Sequence, residues 1–230
     1  MLHIIPGILT SNLQLFQLQL ELAHGKFPWV QIDFLDGEFA ENHTVKPFEI
    51  NLDPFPNIKF EAHLMVAPAN LLTWATDCLE AGFDRLVVQI ESMTDQTQLL
   101  ELVEFSASQF GISLDSHTSV EEISTNLFEQ VNVIQIMTIK AGFQGQQLIP
   151  QTLDKVKQLI QLRNKHDYKW KITLDGGINE QSIPILKNLD IDNLIIGSGF
   201  FENIELSKEL NQNETDLNLK IQKFQNLIKS

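Results

Sequence analysis

Eight short apolar runs, separated by longer stretches with apolar residues three and four apart, constrain the fold of this 230-residue chain more than any other feature. The runs are His3–Ile8, Trp29–Phe34, Lys59–Met65, Arg85–Ile90, Gly111–Leu114, Asn132–Met137, Lys169–Leu174 and Asn193–Ile196. Most are apolar throughout instead of alternating, as expected of strands buried on both faces. Between them lie helical stripes: Leu13, Phe16, Leu20 and Ala23; Leu71, Trp74, Ala75, Cys78 and Leu79; Leu99, Leu102, Val103 and Phe105; Leu153, Val156, Ile160 and Arg163. A last stripe, Leu217, Ile221, Phe224 and Ile228, predicts a helix that closes a ring. Strands alternating with helices make a parallel sheet, and eight is the number that closes into a (β/α)₈ TIM barrel. A doubly wound open sheet is the competitor that periodicity alone leaves standing.

Two segments break the pattern. Asp36–Pro56 carries Pro47, Pro54 and Pro56 and predicts a long loop with a short or poorly formed second helix. Asn203–Asp216 is polar and reads as a solvated connection before the last helix. With no Gly/Ser linker, repeat or low-complexity segment, residues 1–230 read as a single domain of the usual barrel length.

Composition narrows the function. A formal net charge of −14 repels a polyphosphate backbone, so nucleic acid is not an expected partner, whereas a small phosphorylated ligand can still be bound by backbone N–H groups. Cys78 is the only cysteine, so no internal disulfide forms. No run of eighteen apolar residues predicts a membrane span, and the first residues lack a signal-peptide pattern; a cytoplasmic location is the expectation.

In a barrel of this kind, catalytic side chains sit at the C-terminal ends of strands. Alternation puts Gln31, Asp33 and Leu35 on one side of the second strand and His63 and Met65 together on the third. The seventh run leads into Asp175-Gly176-Gly177. Asp33, His63 and Asp175 facing inward could bind a divalent cation, with Gln31 offering a neutral fourth oxygen. Each residue alone has a plainer reading: Asp175 a turn residue, His63 a core histidine. Two carboxylates buried in one barrel mouth are costly without a cation or proton, however, and such a cluster usually has a function. Asp36-Gly37 reads as a turn. A second group resembles a phosphate cradle: Gly142-Phe143-Gln144-Gly145, Gly176-Gly177 and Gly197-Ser198-Gly199 follow the last three strands, where a following helix N-terminus would add its dipole.

These motifs are similar in order and spacing, from about Ile5 to Phe201, to those of ribulose-phosphate 3-epimerases. The resemblance rests on Ile32-Asp33-Phe34-Leu35-Asp36-Gly37-Glu38-Phe39 with Asn42, Thr44 and Pro47, on Ala62-His63-Leu64-Met65-Val66, on Met137–Gln146, on Leu174–Ile178 and on Gly197-Ser198-Gly199-Phe200. It implies an epimerase that interconverts D-ribulose 5-phosphate and D-xylulose 5-phosphate at C3. Asp33 and Asp175 would exchange the proton on opposite faces, and one divalent cation (zinc, iron, manganese or cobalt) would stabilise the enediolate. It further implies metal ligation by Asp33, His63 and Asp175, with Gln31 at the position of a first ligand histidine. Leu35, Met65 and Met137 fall where methionines pack near the intermediate. Gly7 stands at a substrate contact, and Gly142, Phe143, Gln144, Gly145, Gly176, Gly177, Gly197 and Ser198 fall in the phosphate loops. Dimers and hexamers occur in that family, so a homo-oligomer is compatible.

The departures cluster at the same site. Gln31 and Gln89 stand where histidines are usual, Gly7 where a serine is, and Lys140-Ala141, Gln144 and Asp115-Ser116-His117 alter two loops. A glutamine oxygen is a weaker, uncharged donor, which implies lower metal affinity and a shift towards harder cations. Two alternatives follow: an epimerase for a related sugar such as a hexulose 6-phosphate, and a non-catalytic phosphosugar-binding relative.

Overall fold

A computed structural model describes residues 2–229, the side chain of Phe105 excepted. Eight strands pair in parallel, each with its sequence neighbour, and β1 pairs with β8 to close the barrel. They are β1 (His3–Ile8), β2 (Trp29–Leu35), β3 (Lys59–Met65), β4 (Arg85–Gln89), β5 (Gln109–Leu114), β6 (Val133–Met137), β7 (Lys171–Asp175) and β8 (Asn193–Ile196). Closure rejects the open sheet. Strand boundaries move by up to two residues from expectation: Ile90 leaves β4 for a 3₁₀ turn, and β7 begins at Lys171 and takes in Asp175.

Parity divides the side chains. Even-numbered residues such as Ile32, Leu64, Val88, Ile134 and Leu174 belong to the large apolar cluster between strands and helices. The register pairs odd positions round the barrel: Gln31 with Glu61, Asp33 with His63, Arg85 with Gln109, and Thr173 with Asn193. The apolar core is therefore a shell around the sheet, and much of the barrel interior is polar. A small second cluster, Leu35, Met65, Met137, Ile139 and Ala141, lies at the strand ends.

The helices are α1 (Leu13–Ala23), α2 (Leu71–Glu80), α3 (Leu100–Ser106), α4 (Thr152–His166), α5 (Ile183–Leu186), α6 (Ser198–Phe201) and α7 (Leu210–Lys229). Asn12 caps α1, its Oδ1 accepting from Gln14 and Leu15 N–H at 3.0 Å. Phe16, Leu20 and Ala23 are buried as expected, whereas Leu13 is half out in solvent. In α2, Leu71, Ala75 and Cys78 are the buried stripe. Phe105, the last residue of the third stripe, has its side chain outside the described residues. No α-helix forms between β2 and β3, where the prolines leave a single 3₁₀ turn (Pro47–Glu49), nor between β5 and β6, where two 3₁₀ segments stand in.

One expectation is corrected. The stretch Asn203–Asp216 is not simply a solvated connection, because α7 begins at Leu210. Asn213 is fully buried; its amide accepts from Glu205 N–H (3.1 Å) and donates to Glu205 O (2.9 Å), so a polar residue fixes the turn into the last helix. That helix packs on α1, α5 and α6. No helix among the described residues is long and apolar enough to cross a membrane.

Candidate active site

Asp33 and Asp175 end up in one place because β2 and β7 both finish at the same mouth, separated only by β1 and β8. Asp33 is the fifth residue of β2 and pairs in register with His63; Asp175 is the last residue of β7 and pairs with Met137. Thr138 holds the Asp175 carbonyl twice, through its N–H (2.7 Å) and its hydroxyl (3.0 Å). Candidate ligand atoms of Asp33, His63 and Asp175 all lie within 4.8 Å of one another, and all three residues are buried.

His63 Nδ1 sits 3.0 Å from Asp33 Oδ1 and 3.6 Å from Asp175 Oδ2. Its far nitrogen is held from behind. With the Gln89 amide oxygen facing His63 Nε2 at 3.1 Å, the Gln89 nitrogen donates to Glu91 Oε2 at 2.8 Å and to Ser113 O at 3.2 Å. Such a bond puts a proton on Nε2 and points Nδ1 at the carboxylates. The glutamine at the end of β4 thus orients the histidine.

Gln31 behaves otherwise than the sequence suggests. It is the amide nitrogen that faces the site, donating to Asp33 Oδ1 and to Asp175 Oδ2, each at 2.8 Å. Its oxygen is buried with no partner. Gln135, not singled out from the sequence, gives Asp175 Oδ2 a second amide donor at 2.9 Å and leaves its own oxygen likewise unpaired. The signal for it was available: Gln135 lies two residues before Met137 and so shares its face.

Electrostatics follow from burial. Desolvation pushes the Asp175 carboxyl up to about 7, the Asp33 charge adding to the rise while His63 and the Gln31 hydrogen bond oppose it. For His63, burial works against the charged ring, but the hydrogen bond to Asp33 and the charges of Asp33, Asp175 and Glu61 outweigh it and raise its pKa. One proton is therefore easily held among these groups near neutral pH.

Next to the two carboxylates lies a cleft with an open volume of about 40 Å³. Gly7, Met65, Met137, Gly142, Phe143, Gln144, Gly145, Gly176, Gly177, Gly197 and Ser198 line it together with Asp33 and Asp175. Leu35 lies beneath, packed with Met65 and Met137. Leu9, Ile139, Ile178 and Ile195 complete the wall; Ile139 and Ile178 fall inside the sequence motifs, whereas Leu9 and Ile195 carried no signal beyond being apolar. The glycines matter at two points. Gly177 has φ +65° and a Cβ there would meet Leu148 N at 2.5 Å; a Cβ on Gly197 would strike the Gln144 side-chain nitrogen at 2.6 Å. None of the lining residues is cationic, so an anion bound there would have to be held by backbone N–H groups and the Ser198 and Gln144 side chains, away from the two carboxylates. The helix after β8 is a single turn and adds little dipole.

Asp36, three residues beyond Asp33, is a turn residue as expected. Its carboxylate accepts from Glu38 and Phe39 N–H (2.9 and 3.0 Å), Ala67 N–H (2.7 Å) and Asn70 Nδ2 (2.9 Å). Desolvation would raise its pKa, but these four bonds prevail and hold it low. Asn42 then reaches across the mouth to Gly142 O at 2.7 Å and ties the β2 loop to the β6 loop.

Comparison with known proteins agrees with this geometry. The chain is 33% identical to the ribulose-phosphate 3-epimerase of Treponema pallidum over 200 residues, 85% of this chain and 89% of the relative. It is 24% identical to that of Bacillus subtilis, covering 92% and 98% of the two chains. Among solved structures, KGPDC from Streptococcus mutans superposes with a TM-score of 0.68 over 96% of this chain and 97% of that one; at 13% identity this speaks to the fold alone. A family model described as the ribulose-phosphate 3 epimerase family matches residues 3–201, from the first strand to α6, and the chain belongs to that family.

Proposed function

We propose that this protein interconverts D-ribulose 5-phosphate and D-xylulose 5-phosphate by moving the C3 proton from one face of the sugar to the other. The observation that carries the reading is the convergence of two buried carboxylates, from β2 and β7, beside a glycine-lined cleft with no cationic side chain. One carboxylate removes the proton α to the carbonyl, the enediolate forms, and the other carboxylic acid returns a proton to C3 from the opposite side. Such a reaction needs one ionised and one protonated carboxyl at the same time, and mutual repulsion in a buried pair favours that state. Net proton count is unchanged over the cycle, so either residue can start it.

Asp33, His63 and Asp175 are the residues that would hold a divalent cation: two hard oxygens and one imidazole nitrogen, the last oriented by Gln89. The donor set suits zinc, iron, manganese or cobalt, and such an ion supplies Lewis-acid stabilisation of enediolate charge. The glycine loops after β6, β7 and β8 bind the phosphate through backbone N–H groups, with Met65, Met137 and Leu35 forming the apolar wall that excludes water.

Incubation with D-ribulose 5-phosphate in heavy water tests the reading: deuterium should appear at C3 with added divalent cation. No exchange with any of the four metals would overturn it. A parallel series with hexulose 6-phosphates reads the alternative substrate class from kcat/KM.

A further inference from the structure

The family's cation and the observed orientation of Gln31 compete for the same ground. Two amides, Gln31 and Gln135, present their NH₂ groups to the Asp33–Asp175 pair, the first bridging both carboxylates. The hydrogens of an amide NH₂ carry partial positive charge and satisfy a carboxylate in the absence of a metal. The cost is visible at the other end of Gln31, where Oε1 is fully buried without a donor. A glutamine amide has two ends of opposite polarity, and half a turn about its last bond exchanges them. Turning Gln31 over in the metal-free site would aim its oxygen at two carboxylates, which is repulsive. With a dication among Asp33, His63 and Asp175 the preference reverses, because an N–H facing a cation is repelled and a carbonyl oxygen is attracted. Glu61, paired in register with Gln31 on β3, likewise has a buried Oε1 with no donor.

We infer that Gln31 is a reversible amide switch: its nitrogen clamps the two catalytic carboxylates when no cation is bound, and its oxygen becomes a cation ligand when one is. The inference rests on the epimerase reading for the expectation of a metal, but not on turnover. A histidine at this position could serve as a ligand, yet a neutral imidazole has one N–H and cannot donate to both carboxylates at once. Glutamine therefore exchanges affinity for a metal-free site in which both carboxylates are already hydrogen-bonded.

The test uses the whole protein, ¹⁵N-labelled and without substrate, titrated with zinc. The Gln31 NH₂ resonances, identified by their loss in Gln31→Leu, should shift on saturation, and their exchange with solvent should accelerate at least tenfold as both carboxylate bonds are released. Zinc affinity measured by competition with a chelating dye should fall at least about tenfold in Gln31→Leu, the lower end of what losing even a contact that only supports a ligand costs. Gln31→Met carries the same comparison should Gln31→Leu not fold. Unmoved NH₂ resonances at saturation, or variants that bind zinc as tightly as or more tightly than the parent, would overturn the switch, since the amide would then be a bystander or a mere competitor. Absence of zinc binding by the parent protein would overturn it as well. Loss of C3 exchange with these signals intact would instead remove the epimerase reading and leave the switch standing.

Discussion

The barrel interior holds charge at two levels, and they are built on opposite rules. Near the N-terminal ends of the strands, Glu61 and Arg85 form a buried ion pair. The guanidinium also donates to Gln109 Oε1 at 3.0 Å and lies 4.1 Å from the centre of the Trp29 ring. Near the C-terminal ends, two aspartates share one histidine and two amides. Below, one acid meets one permanent cation; above, acids outnumber bases and only a proton or a metal can balance them. Both levels use buried odd-numbered positions of the barrel strands, β3 contributing Glu61 to one and His63 to the other, so the fold does not demand the imbalance. The surplus acid above is what a proton-transfer site requires, and stability is given up to keep it.

The sharpest way to break this contrast is to remove a carboxylate above. Asp33→Asn and Asp175→Asn should each lower deuterium exchange at C3 by about 10³-fold, within the range for loss of a general acid or base. The same variants should fold, because an asparagine oxygen can still accept from Gln31. Below, the sign for stability is the reverse. Arg85→Met leaves Glu61 charged and alone, and chemical denaturation should show a loss of about 3–5 kcal/mol, whereas Glu61→Leu combined with Arg85→Met should recover most of it. If the double variant is no more stable than the single one, the pair is not a balanced unit and the contrast fails.

The sequence made the upper level far more legible than the lower. Asp33, His63 and Asp175 each stand at a strand end beside a loop motif, so alternation and position suffice to bring them together. Glu61, Arg85 and Gln109 sit one to a strand and become neighbours only through register, which no single strand encodes. The orientation of Gln31 was illegible for another reason: a glutamine offers an acceptor and a donor, and only the surrounding charges decide which faces inward. Among the crossovers, Pro47, Pro54 and Pro56 announced the missing helix after β2, but nothing comparable marked the 3₁₀ segments between β5 and β6. Asn213 misled because a buried asparagine that holds a backbone turn looks, in sequence, like any solvated one.

Asp36 refines the comparison, since it is an acid at the upper level that is fully satisfied. Four N–H donors from the β2 and β3 loops meet its carboxylate. Asp36→Ala should cost about 2 kcal/mol in denaturation, near the value for hydrogen bonds to a charged group. Because its pKa is held low, that contribution is present above the unfolded pKa and fades only as pH falls through the lower folded value. KM for the sugar phosphate should rise more than kcat falls, as the loop carrying Asn42 loses its anchor.

Asp175 gives the opposite pH signature in the metal-free protein. Its folded pKa, about 7, lies above the unfolded carboxyl value, so between the two the native state holds a proton that the unfolded chain has released. Stability from this group is therefore complete below the unfolded pKa and is lost as pH rises through 7. His63, also raised, acts in the same direction above its own unfolded value. In the presence of a chelator, stability should decline by about 1 kcal/mol between pH 6 and pH 7, the slope of roughly one bound proton. Asp175→Asn should flatten that decline, while Arg85→Met should shift the whole curve down and keep the decline, because the Glu61 charge it leaves uncompensated raises both Asp175 and His63. A parent protein whose stability is level from pH 5 to pH 8 would mean that Gln31 and Gln135 alone neutralise the carboxylates, and the two levels would then differ in geometry but not in charge balance.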